Sequence, residues 1–510
     1  MAEPAKNITQ LPVDNISSQT SDTPLTKIKQ RRSQELIIGL CGAVGSGVKG
    51  LKSILANQLT EQGYIVEHIR LSDLIIHYLP NKTTPTNLTG FNRYEKLQDW
   101  GDNLRSKHRN SILAELAIRK ITILRETRFG NEDSSDGLVK VTKKVAYIID
   151  QVKHPSEIEL FKEAYRNNFY LLGLLRTENE RRSNLKEERM SDAEVGTLID
   201  RDRKASQSYG QQVEKSLYQS DYFIRNTDVA EKINKSVVRF IKLVHGLNHI
   251  TPTNDETGVY AAHAASLRSA CLSRQVGAAI TDDNGNILSS GCNDVPKFGG
   301  GLYDAEDDVD KRCFNHGRRC HNDKHKQILE LEIESILAKS NVKKPSVLAK
   351  NIIENSKAKS LIEYSRAIHA EMDAITALAR SSNNSTIGKT LYCTTYPCHI
   401  CARHIVASGI KRVVYIEPYE KSLATQLHGD AIYHPDNRTE EKKVLFENFE
   451  GVSPMRYSKF FSYNQKRKNS KGEIISYTVL DSGHVDPQHL DSYGEYELKI
   501  VGMVNAELPD

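Results

Sequence analysis

Two short segments constrain this chain more than any other feature: His369-Ala370-Glu371 and, further along, Pro397-Cys398-His399-Ile400-Cys401. One imidazole and two thiolates suffice to hold a catalytic zinc ion while its fourth position stays open for water. A fold that uses them must bring both segments to one point, with Cys398 and Cys401 three apart on one helix face. Pro397 suits the first turn of that helix, whose N-terminal dipole helps keep the thiols ionised. Glu371 cannot easily ligate the same ion as His369, so it is predicted to face the open position and carry protons. For a Cys-x-x-Cys pair alone, a closed structural site completed by His321, His399 or another cysteine is the simpler alternative.

The patterning around these segments predicts an α/β chain. Glu35-Leu-Ile-Ile-Gly-Leu-Cys-Gly42 is a short apolar run, followed by Leu51, Ile54, Leu55 and Leu59 at helical spacing and by a strand over 64–70. Further buried strands are predicted at 145–149, closed by Asp150, and at 169–175. This β–loop–α–β order favours a parallel sheet covered by helices. A second α/β unit is predicted from a helix over 259–273, strands at 276–280 and 286–290 around Asn284-Gly285, a helix around His369, and strands at 390–394 and 412–416. The expected division is a flexible arm over 1–33, a first domain over 34–250, a second over 251–419 with an insertion at 299–360, and an extension over 420–510.

Composition removes several function classes. With 510 residues there is room for two to four domains of about 100–200 residues each. Lys+Arg total 70 against 65 Asp+Glu, and a net charge of +5 gives no global footprint for wrapping nucleic acid. No apolar run approaches the ~18–20 residues of a membrane span, and the polar start lacks a signal-peptide core, so a cytoplasmic protein is expected. Of the 8 cysteines only Cys41 lies in the first half, a distribution that points to metal binding or chemistry rather than a disulfide scaffold.

The loop after the first strand, Gly42-Ala-Val-Gly45-Ser46-Gly47-Val48-Lys49-Gly50, lies where backbone N–H groups cradle phosphate at a helix N-terminus. It resembles a Walker A loop, but Val48 intervenes before Lys49 and Gly50 replaces the hydroxyl residue that would hold magnesium. The rest of the region resembles nucleoside monophosphate kinases. By that resemblance Asp150 is a Walker B or substrate-site carboxylate, and Arg181, Arg182 and Arg189 form a phosphate-binding lid. Asp200-Arg-Asp202 and Gly210–Glu214 then match the closing helices. Nucleotide binding without efficient phosphoryl transfer is the expectation.

The pair His369-Ala-Glu371 and Pro397-Cys-His-Ile-Cys401 matches the H-x-E…P-C-x-x-C pattern of zinc deaminases. With Tyr260, Ser269-Ala-Cys271-Leu-Ser-Arg274 through Ile280, and Gly291-Cys-Asn293-Asp-Val-Pro296, residues 255–419 resemble the deoxycytidylate deaminases. The resemblance implies a three-layer α/β/α deaminase domain, Asn293 on the deoxyribose and Arg274 near the substrate phosphates. It also implies a second, structural zinc drawn from Cys271, Cys313, His316, Cys320 and His321. Fusion to a degraded kinase-like domain resembles the bacterial antiphage deaminases, which act on dCTP and dCMP, deplete the dCTP pool and are held inactive by a small RNA. A homo-oligomer such as a hexamer is implied. Lys421 and His428, in the stretch shared with that group, are placed either to approach a triphosphate or to pack the extension. The alternatives are a housekeeping dCMP deaminase with a regulatory or kinase domain, and a polynucleotide-editing deaminase, which the near-neutral charge disfavours.

Overall fold

The computed structural model describes residues 32–79, 88–129, 141, 143–203, 207, 209–247, 249–381, 385–417, 419, 422–435, 442–462, 466–485, 487–488 and 491–508. Nearly all of the predicted arm, and Lys421, therefore lie outside the described residues. In chain order the strands are β1 (Glu35–Gly42), β2 (Ile65–Arg70), β3 (Val145–Asp150), β4 (Phe169–Leu175) and β5 (Tyr222–Arg225). They continue as β6 (Gly277–Thr281), β7 (Ile287–Cys292), β8 (Thr390–Thr395), β9 (Arg412–Glu417), β10 (Ile432–Tyr433), β11 (Val444–Asn448) and β12 (Gly451–Val452).

Alternation along β1 explains the first sheet. Leu36, Ile38 and Leu40 join one apolar cluster with Leu51, Leu55 and Phe240, while Ile37 and Cys41 face another built on Leu113, Phe161 and Phe169. A strand covered on both faces must be apolar throughout, and every residue of β1 and β4 is buried. Each such Leu or Ile contributes about 1.5–3 kcal/mol. The sheet order is β12-β5-β4-β1-β3-β2. All neighbours are parallel except β12, which runs antiparallel to β5.

The second sheet has the order β10-β11-β9-β8-β6-β7. From β8 to β10 its neighbours are parallel, whereas β6 is antiparallel to both β8 and β7. The helices Asn254–Ser266 and Ala370–Arg380 cover opposite faces, as expected for three layers: a Cβ on Gly277 would lie 1.9 Å from Ala262 O, and one on neighbouring Gly291 2.4 Å from Ala370 O. The helix expected at 259–273 is corrected to Asn254–Ser266. Thr253 and Glu256 close a capping box that starts it early. Beyond it, Asp294 Oδ2 accepts the Ala270 N–H at 2.8 Å and Ser269 Oγ donates to Asn293 O at 2.6 Å, drawing the chain to the sheet edge.

The segment after 419 is divided between the two sheets. β10 and β11 extend the second, and after Phe449-Glu450 the chain enters β12 of the first. The helix Asp491–Glu507 then places Glu497 on Arg125, whose guanidinium also binds Glu35 at 2.9 Å. Within 299–360, the helices His321–Lys339 and Pro345–Asn355 pack on each other, and no described residue of the first is buried.

Tyr64 Oη lies 2.8 Å from His245 Nε2 and 2.6 Å from His484 Nε2, clamping the last part of the chain to the first sheet. Burial, then Lys144, pushes His245 down from 6.5 to about 4; burial, then His245, also lowers His484. The unfolded chain thus takes up protons that the folded chain refuses, so stability is complete above about pH 6.5 and falls as the pH drops toward 4. For His245 the expected loss is about 2 kcal/mol between pH 7 and pH 5. Thermal unfolding at the two pH values checks it; a midpoint unchanged at pH 5 contradicts it.

Candidate active site

Strand direction assembles the site. β7 and β8 point the same way and β6 the opposite way, so the ends of β7, β8 and β9 and the start of β6 share one edge. That edge receives Asn293, the turn Tyr396–Cys398, Glu417 and Arg274. His369 is the N-cap of Ala370–Arg380, and Cys398 is the N-cap of His399–Ala407. Cys398 thus precedes the helix rather than lying on its face, and Pro397 precedes the cap. The two positive helix ends meet at the site.

His369 Nδ1 lies 3.3 Å from Cys398 Sγ and 3.4 Å from Cys401 Sγ. The three ligand atoms lie within 4.8 Å of one another. Hydrogen bonding from Cys401, and then from His369, brings the Cys398 thiol down to about 4, while the same pairing pushes Cys401 up. Hydrogen bonding to Cys398 raises His369 to about 9. A ready thiolate, a second thiol and an imidazole aimed at one point fit a tetrahedral metal. Glu371 is buried, and its Oε2 lies 3.5 Å from Cys401 Sγ. Burial raises its carboxyl, opposed by His369.

These groups open into a cavity of about 380 Å³ that also reaches Arg274, Asn293, Tyr396 and Tyr419. Asn293 Nδ2 donates to Arg274 O at 2.8 Å, and its Oδ1 accepts the Val276 N–H at 2.7 Å. Its amide therefore holds the 274–276 backbone and keeps one N–H and one lone pair for a ligand. Arg274, half-exposed, reaches Glu417 at 3.3 Å and lies over the Tyr419 ring. Tyr396 escaped the sequence reading, although an aromatic residue directly before Pro397-Cys398 had to stand on the pocket wall.

Of the residues expected to hold a second zinc, Cys271 and Cys320 line this same cavity, and burial pushes the Cys313 thiol up. Among the described residues, these two and Cys313, His316 and His321 do not converge as His369, Cys398 and Cys401 do.

The glycine loop follows β1 as expected, with Gly45 and Gly47 at φ 81° and 86°, a region glycine enters freely. The Val44 N–H donates to Asp202 Oδ2 at 2.7 Å, and Asn226 Nδ2 donates to Ser46 O at 2.8 Å. Gly42 and Ser46 are buried, and Ser46 Oγ has no partner. Lys49 is exposed; Lys52, one turn on, is the buried lysine and pairs with Asp150 at 2.9 Å. Its signal was a lysine on the apolar face shared with Val48, Leu51 and Leu55. Arg181 stands against Gly45, Arg182 pairs with Glu178, and Arg189 is exposed. His428 is half-buried at the end of the short helix Ala424–Leu427.

One imidazole, two thiols and a buried carboxylate at paired helix ends define a metal-dependent hydrolase site. Residues 252–417 match the family model described as the cytidine and deoxycytidylate deaminase zinc-binding region. Over 162 residues the chain is 37% identical to the deoxycytidylate deaminases of enterobacteria phages T4 and T2, covering 32% of this chain and 76% and 78% of theirs. The chain belongs to the deoxycytidylate deaminase family. A solved dCMP deaminase of cyanophage S-TIM5, in complex with dCMP and dUMP, matches at 20% identity and a TM-score of 0.23, over 39% of this chain and 99% of that one. No described helix is long and apolar enough to cross a membrane.

Replacing Cys398 or Cys401 by Ala is expected to remove most of the zinc and all of the activity, because two remaining ligands hold the ion poorly. Elemental analysis of the purified variants decides it; wild-type zinc content would move the metal elsewhere.

Proposed function

We propose that the chain hydrolyses the exocyclic amine of deoxycytidine nucleotides, dCMP and dCTP, releasing ammonia and leaving the uracil nucleotide. The observation that carries this reading is the buried Glu371 carboxyl on one cavity wall with His369 and Cys398, and 3.5 Å from the Cys401 sulfur behind it. Those three residues would hold zinc, which when bound supplies a Lewis acid that activates water near neutral pH. Glu371 would take one proton from the attacking water and pass it to the ring nitrogen, then take the hydroxyl proton of the adduct at C4 and pass it to the amine, which leaves as ammonia while the C4 carbonyl forms. Asn293 would orient the deoxyribose with its remaining N–H and lone pair, and Arg274 at the mouth would meet the phosphates. Ammonia release from dCMP, dCTP, CMP, CTP and single-stranded DNA tests the assignment; turnover of the DNA alone would favour an editing enzyme.

In this reading residues 34–250 form a P-loop, nucleotide-binding regulatory domain, and 251–419 the deaminase. Depletion of dCTP during phage infection, restraint by a small RNA and assembly into a homo-oligomer rest on the resemblance of this fused organisation to the antiphage deaminases. Val48 intervening before Lys49, and Gly50 in place of the usual Ser/Thr, support binding without efficient phosphoryl transfer.

Glu371→Ala should keep its zinc and lose about 10²–10⁴-fold in turnover, since it acts on protons and not as a ligand. Metal analysis beside the ammonia assay checks this, and zinc loss in the variant would make Glu371 a ligand. Lys49→Ala should leave deamination by the purified protein nearly unchanged while abolishing protection in infected cells. Phosphate transfer from ATP to a deoxynucleoside monophosphate, lost in that variant, would show a working kinase instead.

A further inference from the structure

We propose that Asp294 is a positioning residue of the deaminase pocket: its buried carboxylate holds the loop that carries Arg274, so that substrate affinity depends on a side chain that acts only through its neighbours. The loop runs from Leu267 to Gln275, between the helix Asn254–Ser266 and β6. Of its residues only Ser269 is buried, and its two leucines, Leu267 and Leu272, are exposed. Apolar packing therefore does not fix where Arg274 stands, and polar contacts must.

Those contacts converge on one dipeptide, Asn293-Asp294. Asp294 Oδ2 accepts the Ala270 N–H at 2.8 Å, and Ser269 Oγ donates to Asn293 O at 2.6 Å. At the far end of the loop the Asn293 amide holds Arg274 O and the Val276 N–H. The loop is thus tied to the dipeptide on both sides of Arg274. Asp294 O also accepts the Ile368 N–H at 3.0 Å, one residue before His369. A single point of backbone joins the Arg274 loop, Asn293 and the segment that delivers a metal ligand.

The choice of a carboxylate follows from what it meets. Asp294 is 2% exposed, and its other oxygen, Oδ1, accepts the Val295 N–H at 2.8 Å. No described Lys, Arg or His pairs with it; Arg312, near enough to feel its charge, is bound to Asp310 at 2.7 Å. Burying a carboxylate without a cation is costly, and here both oxygens are met by N–H donors in charge-assisted bonds. Asparagine would turn one of the two acceptors into a donor facing an N–H, and alanine would remove both. What the pocket gains is preorganisation. With the loop backbone fixed, Arg274 waits beside Glu417 at 3.3 Å and need not be ordered when a ligand arrives. The proposal rests on the deaminase reading, in which Arg274 meets the substrate phosphates.

Ammonia release from dCMP by the full-length, zinc-loaded protein tests it, with zinc content measured for every variant. Asp294→Ala is expected to raise the KM for dCMP about tenfold or more while kcat per bound zinc stays within about threefold of wild type. Asp294→Asn, which keeps the shape and one acceptor, should give a smaller rise, and Ser269→Ala a rise in the same direction. In an Arg274→Ala background Asp294→Ala should add little, because the group it positions is already gone. Equal effects in the two backgrounds would overturn the proposal, as would a fall in kcat per zinc with the KM unchanged. Loss of zinc from both Asp294→Ala and Asp294→Asn would also overturn it, by making Asp294 a support of the metal site alone. Failure of the deaminase reading itself would show separately, as no ammonia from dCMP or dCTP with the wild-type protein.

Discussion

Strand direction is the constraint on which both sites depend. In a parallel sheet every carboxyl end lies on the same edge, so the loops that follow the strands are gathered without further instruction. In the first sheet this brings the glycine loop after β1, Asp150 at the end of β3 and Arg176 after β4 together. In the second, the parallel pair β8 and β9 delivers Cys398 and Glu417, and the reversal at β6 returns Asn293 and Arg274 to the same edge. Close packing then completes the metal site. Gly291 has no Cβ, so the helix that starts after His369 lies directly on β7, bringing His369 Nδ1 to the two sulfurs.

Much of this was legible in the sequence. Continuous apolar runs marked β1, β3, β4, β8 and β9, because buried parallel strands leave little room for polar residues. His369, Glu371, Cys398 and Cys401 were legible because metal-ligand chemistry tolerates few residue types and spacings. Helix ends were read less well. The start at Asn254 was signalled by Thr253 and Glu256, but Thr251-Pro-Thr-Asn-Asp also reads as a linker. Lys52 was passed over because a lysine on an apolar face reads as an exception until Asp150 is seen opposite it. The C-terminal segment was opaque, since β10 and β12 are each two residues long and carry no periodicity.

Several buried charges around the first sheet are joined into networks. Arg125 is enclosed by Glu35 and Glu497, with Tyr165 and Tyr493 bonded to the carboxylates. Asp202 spans the glycine loop and Lys153. By contrast, Ser46 Oγ, Asp150 Oδ1, Arg176 Nε and Arg181 Nε are buried without partners on the carboxyl side of the same sheet.

The crossing at Phe449-Glu450 has a consequence for how such a chain can be inherited. Because β11 lies inside one sheet and β12 edges the other, neither half is a cassette that can be cut out at a linker. Glu256, buried at the start of its helix, accepts from Arg239 in the first half and from the Val452 N–H, so the seam is stitched from both sides. A truncation at 419 would bare the edge of β9 and remove Phe446 and Phe449 from the cores they fill, together with the Glu497 that balances Arg125. Recombination that shuffles whole domains has no neutral breakpoint there. The two halves are therefore constrained to diverge as a single heritable unit, with a substitution in either one tested against the other.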